Sequence, residues 1–388
     1  YKPLSQSRGF FFIAIFTILC LALFILVKTI PNLEIRENLA LRLLAPLGFS
    51  YIALQNIGSL ISLRREEIQE FPNPIEFIAF SSFFAILVSG PITKLVELKK
   101  QIEQSCVTKD DYQKGLIRII NGFFKKTLSD ILITPLLFPN NPNILFEGHL
   151  YVIPGLLFKF YMDFSGYTDI ALGSARLLGI RLPENFDSPY ISRTISEYWN
   201  RWHMSLGSWF KEYFFFPLQL YWMRRLRSSF HQLVFVNLTL FATFILIGLW
   251  HGISAKYLLW GVLNASFVLT SPLLLTFRER FHQRSVDVVL ICLTLLITFV
   301  GQLLLMSHGI GGFTRNLVDT FHPDKISGSD VSIFFVLSVF LILQHAYDSY
   351  SRRLDYHGGQ IKFVAIAIQL MVVTMLHSSG VGFLYAEF

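Results

Sequence analysis

Apolar runs separated by polar connections dominate this chain. They lie at Phe10–Val27, Leu43–Leu63, Ile75–Ser89, Tyr151–Leu178, Leu233–Trp250, Tyr257–Phe277, Val288–Met306, Val331–Tyr347 and Ile361–Leu376. A helix needs about 20 predominantly apolar residues to cross a bilayer, so most of these runs predict spanning helices. Ile75–Ser89 is short and stops at Gly90-Pro91, which predicts a re-entrant segment. Phe10–Val27 is too long for the apolar core of a signal peptide and lacks a small-residue cleavage site, so it reads as a span. With no internal repeat, low-complexity tract or soluble segment, residues 1–388 read as a single membrane domain.

Tyr112–Ile133 has a different rhythm. Leu116, Ile119, Ile120, Phe123, Phe124 and Leu128 recur at helical spacing, with Lys114, Arg118, Lys125, Lys126 and Asp130 opposite. This predicts an amphipathic helix whose basic face lies at the membrane interface, or equally the solvated face of a connecting helix.

The block Phe164–Leu218 is too polar for a simple span and too aromatic for a free loop. Polar groups beside lipid must be paired. Glu197 and Arg201 stand at i,i+4 in the favoured order for an ion pair, and Asn200 and His203 at i,i+3 are expected to share a face. Pro183 and Pro189 break the chain before this helix. The pattern predicts an internally satisfied core of short helices, with Asp163 and Asp169 as its anchors.

Composition fixes the class. The chain is 53% hydrophobic and 15% charged, against about 25% charged in soluble domains. The result is an all-α, multi-pass membrane protein in contact with lipid. The net charge of +7 falls in short loops rather than on a nucleic-acid face. Three basic clusters, Arg224/Arg225/Arg227, Arg278/Arg280/Arg284 and Arg352/Arg353, alternate with the spans so that all fall on one side, expected to be cytoplasmic. His251 then lies near the outer ends of its flanking spans. In the first half, Arg64 and Arg65 are offset by Glu66, Glu67 and Glu70 and give no orientation.

Two histidines stand out. His203 follows Trp202, and His251 follows Trp250; each lies at a segment break. Ionisable residues at membrane depth cost energy and mark functional paths. Two histidines without carboxylate or cysteine at ligand spacing make no zinc site, and Cys20, Cys106 and Cys292 show no metal or disulfide spacing. No metal is expected. An imidazole with an ordinary pKa of about 6.5 suits a general base acting on a hydroxyl. A reading of another class is a transporter or acyl-group conduit, with Asp163, Asp169 and the histidines serving a proton or substrate path.

Several phrases resemble the membrane-bound O-acyltransferase (MBOAT) family, closest to the bacterial branch that includes the alginate O-acetylation membrane protein and the teichoic-acid D-alanyl transfer protein. They are Tyr161-Met162-Asp163-Phe164-Ser165-Gly166-Tyr167-Thr168-Asp169, Pro183-Glu184-Asn185-Phe186, Glu197-Tyr198-Trp199-Asn200-Arg201-Trp202-His203 and Gly248-Leu249-Trp250-His251-Gly252, with Trp260-Gly261 after them. Pro46-Leu47-Gly48-Phe49-Ser50-Tyr51 and Ser89-Gly90-Pro91-Ile92 extend the likeness over most of the chain.

The resemblance implies a multi-helix fold with short re-entrant or interfacial helices around a central funnel. It implies acyl transfer from a thioester to a hydroxyl, with His251 as the principal catalytic residue and His203 as its partner. Asn200, Arg201, Trp202, Glu197, Trp250, Asp163 and Asp169 are expected to bind substrate or support the core. Asn200, Trp202 or His203 is expected to stabilise the oxyanion. No bound cofactor is expected; acetyl-CoA or an acyl carrier protein would arrive as substrate on the cytoplasmic side, and a periplasmic or extracellular transferase could follow. A bacterial inner (cytoplasmic) membrane location follows, with polysaccharide O-acetylation as the leading reaction and D-alanyl, lipid or protein acylation as the alternative.

Three departures qualify the likeness. Relatives usually carry further helices before the Pro46 phrase, so the N-terminal part is expected to be incomplete relative to the family. Asn264-Ala265 replaces a common His-Gly pair, and the Leu63-Arg64-Arg65 region lacks an acidic-Val-Tyr-Arg pattern.

Overall fold

The computed structural model describes residues 4–29, 48–67, 73–138, 149–281, 283–323, 326–353, 366, 368 and 369. The first helices are α1 (Leu4–Thr29), α2 (Phe49–Arg64), α3 (Pro74–Ser81), α4 (Phe84–Leu87) and α5 (Leu95–Glu103). Helix α6 (Lys109–Leu128) passes through a π-helical turn into α7 (Thr134–Leu137), and α8 (Val152–Leu177) follows. After an irregular stretch come α9 (Ile195–Arg201), α10 (Met204–Phe210) and α11 (Phe216–Arg225). The last helices are α12 (Ser229–His251), α13 (Ala255–Phe281), α14 (Arg284–Met306), α15 (Gly309–Thr320) and α16 (Gly328–Arg353). Regular structure among the described residues is helical, as the apolar pattern predicts.

Among the described residues, four helices are long and apolar enough to cross a membrane: α12, α13, α14 and Gly328–Tyr350 of α16. The protein is a multi-pass membrane protein. Arg278 Nε bonds Asp287 at 2.5 Å, joining the end of α13 to the start of α14. At the other ends, the Lys256 ammonium donates to the Leu305 and Ser307 carbonyls. The two helices are therefore antiparallel, as are α12 and α13, where Gly248 meets Tyr257 and Gly261 meets Phe244, so the basic ends Arg224/Arg225 and Arg278/Arg280 share one side, as the charge pattern predicts. The run Ile361–Leu376 apart from residues 366, 368 and 369, residues 30–47 with the Pro46-Leu47 part of its phrase, His282, His357 and His377 lie outside the described residues.

Helix α8 is the central pillar. It is a single 26-residue helix, buried along most of its length although it carries Lys159, Asp163 and Asp169. Those charges are met by α6, which lies antiparallel to it, and by the π-helical turn that follows α6. Lys125 reaches Asp169 at 2.8 Å and Asp348 of α16 at 2.9 Å. Arg118 bonds Asp169 at 2.8 Å and grips both Glu184 oxygens at 2.5 Å. Lys126 bonds Asp163, and Lys159 bonds Asp130 at 2.9 Å. The basic positions of α6 therefore form neither an interfacial nor a solvated face. They turn inward, because a cation in a low-dielectric interior is tolerated only against a paired carboxylate, while Leu116 and Phe123 stay exposed. Asp163 and Asp169 both stand in this seam of ion pairs.

Close contact of α6 and α8 depends on glycine. A Cβ on Gly122 would lie 2.6 Å from the Gly166 carbonyl oxygen, and one on Gly166 would lie 2.9 Å from that of Gly122. The backbones meet directly, as small residues permit at helix interfaces in membranes. The segment expected as re-entrant is two short helices, α3 and α4, with a break at Ser82-Phe83. Asn73 caps α3 through a reciprocal bond with Glu76.

Candidate active site

His203 and His251 line the same cavity, together with Trp202, Trp260, Asn264 and Gln302 among others. Its volume is about 30 Å³, enough for a water- or hydroxyl-sized group. The imidazoles come from different elements. His251 closes α12, and the α12–α13 hairpin is pressed tight where a Cβ on Gly261 would lie 2.6 Å from the Phe244 carbonyl oxygen. Trp260 of α13 packs on the His251 ring at 5.2 Å between centroids, and Trp250 at 4.8 Å.

His203 sits between α9 and α10 with φ 44°, a left-handed conformation that non-glycine residues seldom adopt. The helix ends at Arg201, so Asn200 and His203 do not share a face. Asn200 is exposed and accepts from Lys211 Nζ at 2.6 Å, while His203 is buried. The turn in the backbone that separates them is a correction to the i,i+3 expectation, which assumes an unbroken helix.

The bonds of His203 fix its tautomer. The Ser205 backbone N–H reaches Asn185 at 3.2 Å; an N–H only donates, so the Asn185 atom there is the carbonyl oxygen. That oxygen accepts, so the His203 Nδ1 that faces it at 3.4 Å carries the proton. Nε2 is then an acceptor, and the Tyr51 hydroxyl donates to it at 3.2 Å. Asn185 is itself held by the irregular stretch that Pro183 and Pro189 bound, where the Met204 N–H donates to its backbone carbonyl at 2.9 Å. Phe186 and Trp202 form a β-bridge beside it.

The other predicted residues divide cleanly. Trp202 lines the cavity, and the Trp250 ring packs against both imidazoles, 6.4 Å from His203 and 4.8 Å from His251 between centroids. The Trp250 indole N–H is buried without a hydrogen-bond partner among the described residues. Glu197 and Arg201 form their expected pair at 2.9 Å, outside the cavity wall. Asp163 and Asp169 belong to the seam of α6 and α8. Asn264 does occupy the site: it accepts from the Trp199 indole at 3.1 Å and donates to the Trp260 carbonyl at 2.9 Å.

Sequence reasoning gave no role to Tyr51, Asn185 or Gln302. The first two lie within the phrases that carry the family likeness, and the third is a lone amide in an apolar run.

A second, larger cavity of about 360 Å³ is lined by Met204 and Ser205, the residues that follow His203. Gln55, Ser59, Ser62 and Glu212 also lie in its wall. Glu212 also borders an open groove lined by Arg65, Arg224 and Arg225, so the larger cavity lies toward the basic side of the protein.

Comparison with known proteins agrees with these features. The profile of the MBOAT, membrane-bound O-acyltransferase family matches residues 8–306. The teichoic acid D-alanyltransferase of Bacillus subtilis is 32% identical over 230 residues, covering 58% of this chain and 58% of that protein. A probable alginate O-acetylase of Pseudomonas syringae pv. tomato is 29% identical over 274 residues, 69% of this chain and 50% of the relative. The peptidoglycan O-acetyltransferase of Helicobacter pylori is 30% identical over 254 residues, 58% of this chain and 47% of the relative. The chain spans about half the length of the curated relatives it matches.

Proposed function

The chain belongs to the membrane-bound O-acyltransferase family, and from that premise we propose that it transfers an acyl group, acetyl in the leading reading, from a thioester to a hydroxyl of a cell-surface polysaccharide. The observation that carries this reading is the placement of His203 and His251 on one hydroxyl-sized cavity.

His251 is the general base. It takes the proton of the entering hydroxyl as that oxygen attacks the thioester carbonyl carbon. The tetrahedral intermediate collapses by breaking the carbon–sulfur bond, and the thiolate recovers the proton from His251. The ester and the free thiol are the products. His203 serves as a positioning residue, because Asn185 and Tyr51 engage both its nitrogens. The Trp250 N–H is the donor offered to the developing oxyanion, a role that such groups fill best when fixed in a water-poor site. Asn200 is too far out on the surface to share it.

The larger cavity is the approach for the thioester arm. The basic groove beside it suits an anionic carrier, acetyl-CoA or an acyl carrier protein, on the cytoplasmic side. The product would pass to a polymer outside a bacterial inner membrane, directly or through a further transferase. The likeness to a D-alanyltransferase supports D-alanyl transfer as the second reading.

The test is thiol release from an acetyl thioester by proteoliposomes given polysaccharide. His251→Ala is expected to lower turnover at least a hundredfold. Normal ester formation by correctly inserted His251→Ala protein would overturn the assignment. Movement of labelled acyl group without a new ester would establish a conduit.

A further inference from the structure

Gln302 lies in the wall of the cavity that holds both histidines and is buried, with 5% of its surface exposed. Its amide orientation follows from its neighbours. The Tyr190 hydroxyl donates to the Leu157 carbonyl at 2.8 Å, and a carbonyl can only accept. The one phenolic hydrogen is committed there, so the Tyr190 oxygen accepts from Gln302, 3.0 Å away. The Gln302 atom at that contact is the NH2 nitrogen. Its other end, Oε1, is buried and has no hydrogen-bond partner among the described residues. Buried polar atoms are rarely left unpaired, and one that is calls for a function.

We propose that Gln302 Oε1 receives a hydrogen-bond donor of the bound substrate: a second hydroxyl of the acyl acceptor, next to the one that reacts. This rests on the acyl-transfer reading. At its reacting carbon an acetyl thioester presents a carbonyl oxygen, which cannot donate; the nearest donor of its arm is the amide N–H two methylenes beyond the sulfur, on the leaving-group side. The reacting hydroxyl has one proton, and that proton goes to His251. A neighbouring hydroxyl is the group left to meet an acceptor in the wall, so the acyl acceptor is a polyol such as a sugar with adjacent free hydroxyls. The ammonium of an aminoacyl thioester offers the same donor chemistry from the other substrate.

The experiment measures calorimetric binding to the full chain in detergent. The ligands are an oligosaccharide with adjacent hydroxyls and its deoxy counterpart, which lacks the hydroxyl beside the reacting one. The native protein is expected to prefer the diol by about tenfold, the worth of one well-made hydrogen bond. Gln302→Met, of similar length without the oxygen, is expected to lose that preference, and Gln302→Glu, whose protonated acid donates to Tyr190 and keeps a carbonyl acceptor, to retain it. The KM for acetyl thioester should stay constant in both variants. A preference that survives in Gln302→Met, or its absence in the native protein, overturns the proposal. An equal loss of both ligands in Gln302→Met marks a packing role and also overturns it. If Gln302→Met instead loses discrimination between aminoacyl and acetyl thioesters, the ammonium is the true occupant. Intact diol preference without any acyl transfer would refute the enzymatic reading while leaving the binding site standing.

Discussion

The Tyr51 hydroxyl lies 3.2 Å from Nε2 of His203, across 152 positions of sequence, and the two rings are stacked at 6.1 Å. With Asn185 holding Nδ1–H, Tyr51 is the donor in this pair. Tyr51→Phe keeps the ring and deletes the hydrogen bond. Turnover is expected to fall about tenfold, the scale of one lost neutral bond, with the KM for thioester unchanged. Initial rates over a thioester series check this; an unaltered rate would free His203 from any dependence on Tyr51.

Trp250→Phe separates the indole N–H from the bulk of the side chain. If the N–H supports the oxyanion, the variant loses about 10²–10³ in kcat, the usual effect of removing one such donor, while substrate affinity holds. Single-turnover acyl transfer gives the answer. A drop confined to KM would make Trp250 part of the binding wall instead.

Lys125 touches two carboxylates, Asp169 and Asp348, in the interior. Lys125→Met takes the ammonium from both, leaving Asp169 to Arg118 and Asn121 and Asp348 to Tyr161 and Gln344. Breaking a buried pair in this way costs about 3–5 kcal/mol, and chemical denaturation in detergent should register a loss of that size. Adding Asp348→Asn is expected to recover part of it. A single variant as stable as the native protein would show that Arg118, Asn121, Tyr161 and Gln344 hold the two carboxylates without the lysine.

Asp111, near the start of α6 and outside the spans, has its carboxyl lowered to about 2 from an ordinary 3.8, first by the hydrogen bond from the Thr108 hydroxyl and then by Arg176 and Arg181. A folded pKa below the unfolded one adds stability that is fully present above pH 3.8 and is lost as pH falls through about 2. The stability deficit of Asp111→Asn should therefore be constant from neutral pH down to about 4 and shrink below it. Thermal unfolding at stepped pH measures the window; a deficit that shrinks near neutrality contradicts it.

The apolar runs announced the long helices, because length and hydropathy are local properties. The Glu197–Arg201 pair and the prominence of both Trp-His phrases were equally local. The orientation of α6 was hidden: its basic stripe looks the same in sequence whether it faces water or Asp169. The partners of His203 were hidden for a related reason. Asn185 and Tyr51 reach it only through the left-handed turn and the packing of α2, and no spacing rule encodes either. Gln302 left a faint trace as the amide in an apolar run, but its unmatched oxygen depends on Tyr190 and Leu157, both more than a hundred residues away in sequence.

The positive φ of His203 has an evolutionary side. Glycine would relax the main chain at that point and erase the imidazole in the same stroke. Selection for durability alone would be drawn toward hardy, inert descendants; under the acyl-transfer proposal, the demand for turnover is what opposes that drift.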